Sequence, residues 1–341
     1  MFKNYIALLA FVCIISCATD DPISEPVANV FDGDVELLTQ QDVEDFGAIG
    51  YTEITGNLVI SSQLDNPDPI TSLVSLSTLE IIGDDLSLNP VFEITSLNGL
   101  HNLTSITGSL VLYGNANITS LDAFSSVNST VTSLEIYVFR EIETLDGLEN
   151  ISIASGGNLI IEGNDSLTSL DAIQDGIPSI MGIVKFEELI AQCGPFLGCG
   201  DIPPVPQPFT SLIFLVNLTE VEWLRIKGFQ GISLAGVENI TDINRLSLWY
   251  NPNITNLQEL SAVTSDLLGV FISDNIQLET LDGLENITTI TNGLNVVGNL
   301  SLTDFCALGN SISGLSNDDV LILINSFNPT LQDLIDGNCS N

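Results

Sequence analysis

The sequence predicts an all-β parallel solenoid of about ten leucine-rich coils of 24 residues, with a short helical cap at each end. Three observations predict it. Short strand-like segments recur at a near-constant interval. Within each interval, apolar residues follow at every third position. Gly, Asn, Asp, Ser and Thr fill the gaps. The segments begin at Leu58, Leu86, Leu110, Leu134, Leu159, Ile183, Leu224, Leu246, Val270 and Leu294, with spacings of 28, 24, 24, 25, 24, 41, 22, 24 and 24. With 45% apolar residues the chain has ample material for a continuous core.

The elements follow in chain order. Lys3 precedes an apolar run from Tyr5 to Ile15, a short positive region and a hydrophobic segment, as in a secretory signal over residues 1–16. The run is shorter than the ~20 residues a spanning helix needs. Its end, Ile14-Ile15-Ser16-Cys17, resembles a bacterial lipobox, which implies lipidation of Cys17 and a membrane anchor. Ala18-Thr19-Asp20-Asp21 resembles the surface-export signals of Gram-negative lipoproteins, so the expected location is the outer membrane, facing outward. Residues 17–30, with Pro and acids, read as a tether. Residues 31–57 read as an N-terminal cap containing a helix from N-cap Thr39 to Gly47. Residues 58–305 are the repeat domain, interrupted by an insertion at 187–208 that contains Cys193, Cys199 and a Pro-rich stretch. Residues 306–341 read as the C-terminal cap, with a helix between Asn328 and Gly337.

One coil gives the template: Val270, Ile272, Leu278, Leu281, Leu284, Ile287 and Ile290. The first pair alternates as in a strand, and the rest recur every third residue, which is not helical spacing. Each unit is therefore several short straight segments joined at corners, with Leu and Ile pointing inward. Asn115, Asn164, Asn251, Asn275 and Asn299 recur five residues after the strand start, as a ladder of stacked corner side chains, and Phe139 and Phe229 interrupt it. Asp122, Asp146, Asp171 and Asp282 share another corner, where Asp serves the turn, as Asn98 does in an equivalent place; the alternative is a column of carboxylates holding Ca²⁺ between coils, although the spacings are not those of an EF-hand. Sequons at Asn102, Asn117, Asn150, Asn239 and Asn286 recur with the repeat for the same reason. After removal of Cys13 with the signal and lipidation of Cys17, four cysteines remain, and three pairings are possible. Local pairing, Cys193–Cys199 and Cys306–Cys339, is the expectation for an oxidising compartment.

Charge excludes whole classes of partner. Forty-four acids against six bases give a formal charge of −38, the wrong sign for nucleic acid. Catalytic material is thin. The one His, His101, lies in a turn-like Leu-His-Asn, no phosphate-binding Gly loop appears, and no metal spacing fits. The chain is expected to be no enzyme and to need no cofactor or metal. A carbohydrate-active β-helix enzyme would require two suitably spaced carboxylates.

The outer strand face is the candidate site. Alternation places Val111 and Tyr113, Glu135 and Tyr137, Ile160 and Glu162, Val184 and Phe186, Arg225 and Lys227, Ser247 and Trp249, and Phe271 and Ser273 outside. Aromatics and scarce cations gather there, and Arg245 lies beside them. The ligand-binding candidates are Tyr113, Tyr137, Arg225, Lys227, Trp249 and Phe271.

Ile54-Thr-Gly-Asn-Leu-Val-Ile60, Leu100-His-Asn-Leu-Thr-Ser-Ile-Thr-Gly-Ser-Leu110 and Leu281-Asp-Gly-Leu-Glu-Asn-Ile-Thr-Thr-Ile290 resemble the receptor L-domain family, relatives of leucine-rich repeats. The resemblance spans about residues 50–305 and implies a right-handed parallel β-helix. The array is longer than a single receptor L domain and lacks the Cys-rich receptor modules, so ligand specificity does not carry over. The expectation is a non-catalytic recognition or adhesion lipoprotein that binds a protein or glycan. The alternatives are a polysaccharide lyase or hydrolase, or a passive envelope component.

Overall fold

The computed structural model of the chain describes residues 29–62, 66–91, 93–114, 117–187 and 209–341. The expected signal, most of the tether, Cys17, Asn115, Cys193, Cys199 and the insertion after Glu187 lie outside the described residues. Twelve parallel strands form one sheet whose spatial order follows chain order. They are β1 (Val35–Leu37), β2 (Leu58–Ile60), β3 (Leu86–Leu88), β4 (Leu110–Tyr113), β5 (Ser129–Tyr137) and β6 (Ile151–Glu162). Then come β7 (Ile180–Glu187), β8 (Glu220–Lys227), β9 (Asp242–Trp249), β10 (Gly269–Ser273), β11 (Leu294–Val297) and β12 (Val320–Leu323). Pairing each strand with the next coil's strand is what a constant repeat demands, and twelve strands at the usual spacing span about 53 Å.

The sheet has two strands beyond the ten expected. β1 and β12 extend it by one coil at each end, within the stretches read as caps. A second, four-stranded parallel sheet pairs Val30–Phe31, Glu53–Ile54, Ile81–Ile82 and Ser105–Ile106. Further along, β5 to β9 start at this corner and run through it as single long strands.

The template residues behave as read. Val270, Ile272, Leu278, Leu281, Leu284, Ile287 and Ile290 are all buried, as are Leu110, Leu112, Ile118, Leu121, Phe124 and Val127 one array earlier. Each such side chain contributes about 1.5–3 kcal/mol by leaving water, so the stack is held along its whole length. One register is corrected. The strand start in β7 is Val184, not Ile183, because Val184 pairs with Leu159 and Leu224. Val184 and Phe186 therefore point into the core, and Lys185 and Glu187 take the outer positions. Glu187, expected to open the insertion, belongs to β7.

The Asn ladder forms. Asn275 Oδ1 accepts from Asn251 N and Nδ2, Asn299 Oδ1 from the same atoms of Asn275, and Asn325 Oδ1 from those of Asn299. Each Nδ2 also donates to a strand carbonyl of the preceding coil, at Ile226, Leu248, Ile272 and Val296. Asn328 closes the ladder on Asn325. Phe139 and Phe229 donate their backbone N–H groups to Asn164 and Asn251 but carry no side-chain oxygen to accept from the coil before, so the ladder is interrupted at each, as expected. The residue just before the ladder takes a left-handed conformation at Val138, Tyr250, Asp274 and Ile324, and at Gly163, Gly228 and Gly298 in other coils. For the branched Val138 and Ile324 that conformation is strained, and the ladder holds it.

The ends are finished by helices. At the N end, α1 (Gln40–Ile49) has Thr39 as N-cap in a capping box with Asp42, and ends at left-handed Gly50 rather than Gly47. Gly47 serves a different need: a Cβ there would collide with the Ser75 carbonyl oxygen, so helix and neighbouring turn touch backbone to backbone. At the C end, α2 (Leu331–Ile335) begins at N-cap Thr330, and Cys306 is bonded to Cys339. No helix among the described residues is long and apolar enough to cross a membrane.

Candidate functional site

The outer strand face divides into three neighbouring zones. On β4 and β5, Tyr113 and Tyr137 stack with ring centroids 4.5 Å apart and planes 11° apart. Their register, Tyr113 opposite Tyr137, makes this stack possible. The Tyr137 hydroxyl donates to Glu135 Oε2 at 2.8 Å. Burial, then this bond and the nearby carboxylate charge, push the phenol's pKa well above its usual range, so it stays a donor.

On β6 to β8 lies a chain of ion pairs. Lys185 Nζ is 2.6 Å from Glu162 and 2.9 Å from Glu187, and Glu187 also accepts from Arg225 Nη2. Burial disfavours the Lys185 ammonium, yet its bonds to Glu162 and Glu187 hold its pKa above the ordinary value. The chain follows directly from the pairing that sets Glu162 beside Glu187, and Lys185 beside Ile160 and Arg225.

On β8 and β9 the Arg225 guanidinium lies between two indoles, 5.3 Å from the Trp223 ring and 4.6 Å from the Trp249 ring. Arg245 approaches the same Trp223 ring at 5.8 Å and is exposed. Trp223 Nε1 donates to Ser247 Oγ at 3.0 Å. Arg225 Nε is buried and, among the described residues, has no hydrogen-bond partner. Four of the six basic residues of a chain of charge −38 thus sit on three adjacent strands: Lys185, Arg225, Lys227 and Arg245. The same strands carry Glu187, Glu220, Glu222 and Asp242, so both signs meet here and the local charge is balanced within an acidic molecule.

The structure places the sequence candidates as follows. Arg225 and Trp249 are in contact, and Tyr113 and Tyr137 are in contact. The two groups are separated by the ion chain. Lys227 is only 4% exposed, so it stands beneath the surface rather than on offer to solvent. The Phe271 ring lies over Gly269, where a Cβ would meet it at 2.7 Å. Sequence reasoning missed Trp223, Lys185 and Glu187. Trp223 lies inside β8, one residue before the Leu224 at which the repeat pattern starts the strand, and the other two were hidden by the register at Ile183.

The other singled-out residues have structural duties. Asp122, Asp146, Asp171 and Asp282 each donate a backbone N–H to the Ser or Thr two residues earlier, at Ser120, Thr144, Ser169 and Thr280. Among the described residues no His, Cys, Asp and Glu group is arranged to hold a metal ion. Sequon residues Asn102, Asn150, Asn239 and Asn286 donate Nδ2 to the preceding coil, at Ser77, Ser125, Val216 and Ser261. They form a second column of Asn staples. His101 accepts from the Gly99 N–H within its own turn.

Residues 50–176 match the family model described as Receptor L domain. The match runs from the end of α1 through the coil that carries β6 and covers the Tyr113–Tyr137 stack. β7 to β12 continue the same sheet beyond it. No curated protein matches the chain.

Proposed function

Taking residues 50–176 as a receptor L domain, we propose that the chain is a non-catalytic recognition protein that binds its ligand across the outer face of β4–β10. It is held at the outer membrane by lipid on Cys17 and acts at the cell surface, in adhesion or capture. The family match supports a receptor-like, non-enzymatic role and favours a protein as ligand. The observation that carries the reading is the Trp223–Arg225–Trp249 sandwich beside the stacked tyrosines. Locked aromatic planes offer large contact area at small entropic cost, and such residues dominate binding energy at interfaces. The same planes suit sugar rings, which keeps glycan capture as the second reading.

The test is a screen of soluble residues 18–341 against protein and glycan arrays, beside Trp249→Ala and Arg225→Ala. The expected result is one ligand class bound by the wild type and weakened at least ~10-fold in both folded variants, a loss of about 1.4 kcal/mol or more. A wild type that binds nothing, or variants that bind equally well, would remove this face as the site.

A further inference from the structure

The last strand of the sheet, β12, is unlike the other edge. Among the described residues it pairs only with β11. Gly298 N donates to Leu323 O, so the amide groups of Leu323, and by alternation those of Leu321, face β11. In earlier coils the strand-start residue turns its N–H to the following strand, as Leu58 does to Asp85 and Val270 to Gly293. Val320 and Ile322 therefore direct their N–H and C=O groups away from the sheet, where no further strand pairs with them among the described residues. Their side chains are only partly buried on the core. Outside, Leu321 is 46%, Leu323 37% and Ile324 62% exposed. Natural sheet edges usually carry charge or Pro to prevent pairing, and this one carries Leu and Ile.

We propose that β12 is a self-association edge: a second copy of the chain pairs its own β12 with it, antiparallel, about a two-fold axis at Leu321. The groups that face outward fix this register. Val320 must lie opposite the copy's Ile322, and Ile322 opposite its Val320, which closes four backbone hydrogen bonds. Leu321 then meets the copy's Leu321 on the outer face. Asp318 and Asp319 belong to the 3-10 turn that precedes β12, so the pairing is confined to Val320–Leu323. A parallel head-to-tail match meets the other end instead, where Glu36 occupies the outer position of β1 and α1 lies with Val43 buried. Association is thus like end to like end, and it stops at two. A four-residue edge is smaller than the ~800 Å² per partner of a stable interface, so the pair is weak and concentration-dependent.

Sedimentation equilibrium of the purified protein from 1 µM to about 1 mM tests this, the upper limit being where weak pairs register. The expected result is a monomer–dimer equilibrium with no larger species. Leu321→Lys and Leu321→Glu alter an exposed side chain, and calorimetry would show whether each remains folded. Each should weaken pairing at least tenfold alone, because like charges oppose across the axis, and mixing the two should restore it. A wild type that stays monomeric to about 1 mM overturns the proposal, as does a dimer indifferent to both variants, or growth beyond two.

Discussion

The two ends of the sheet start from the same strand pattern and finish differently. At the N end, Val35 and Leu37 of β1 are buried, and Phe31, Phe46 and Tyr51 form an aromatic group over them with ring centroids 5.0–5.8 Å apart. At the C end, α2 buries Leu331 and Leu334, yet Val320 and Ile322 of β12 remain partly open. The outer residue is Glu36 on one end strand and Leu321 on the other. A repeat thus specifies its own interior but not its boundary. What closes a boundary is a segment that departs from the repeat, and the two departures here do unequal jobs.

The largest expected effect breaks the closed end. Val43→Asp places a charge in a fully buried position of α1, and should cost about 4–5 kcal/mol in urea unfolding. If α1 is what closes that end, the variant should also gain species larger than a dimer, since both ends are then open. Next, the Cys306–Cys339 bond clasps the C end across 33 residues of sequence. Replacing both with Ser should cost about 3–4 kcal/mol by the loop-entropy relation. Hydrogen exchange should show the loss of protection in β11 and β12, while β1 and β2 are unaffected. The ladder sharpens the contrast further. Asn299→Ala strands the Asn275 N–H and the Ile272 carbonyl inside the stack, at about 3 kcal/mol. Asn325→Ala, at the ladder's end beside Asn328, should cost about 1–2 kcal/mol, so equal losses would remove the distinction between interior and end.

The smallest effect is acid. The Thr39 hydroxyl and the backbone N–H groups of Leu38 and Thr39 hold the Asp42 carboxyl below the usual carboxylate range. A lowered folded-state pKa contributes stability above the unfolded value and loses it as pH falls through the folded one. Circular dichroism and exchange should therefore show α1 fraying as pH falls through and below the usual carboxylate range, and Asp42→Asn should abolish that dependence. Asp333 in the α2 capping box shifts the same way, but its fraying should leave β1 untouched.

The coil interior was legible because inward positions repeat at fixed steps and every step is Leu, Ile, Val or Phe. Legibility failed where apolarity lost its phase. Met181, Ile183, Val184 and Phe186 are apolar on both parities, so only pairing with Leu159 and Leu224 decides that Val184 faces in. Val320-Leu-Ile-Leu-Ile324 is apolar throughout and carries no alternation, so β12 and its Asn325 went unread. At the site, alternation found Trp249 and Arg225, and it extends to Trp223, two residues before Arg225 on the same face of β8; starting the strand at Leu224 left that indole out. The ion chain from Glu162 to Arg225 is a property of register between coils, not of any one segment.

One consequence of strands laid in chain order is mechanical. The chain enters at one end of the stack and leaves at the other, so tension between the termini peels coils singly instead of shearing the sheet at once. Each coil freed from β9 to β10 releases the 24 residues between Leu246 and Val270, about 80 Å of extended chain. The Cys306–Cys339 bond withholds the final stretch from that extension. Under load the molecule should lengthen in steps of one coil, with one longer step at the insertion, and then stop short, as a graded shock absorber with a built-in limit.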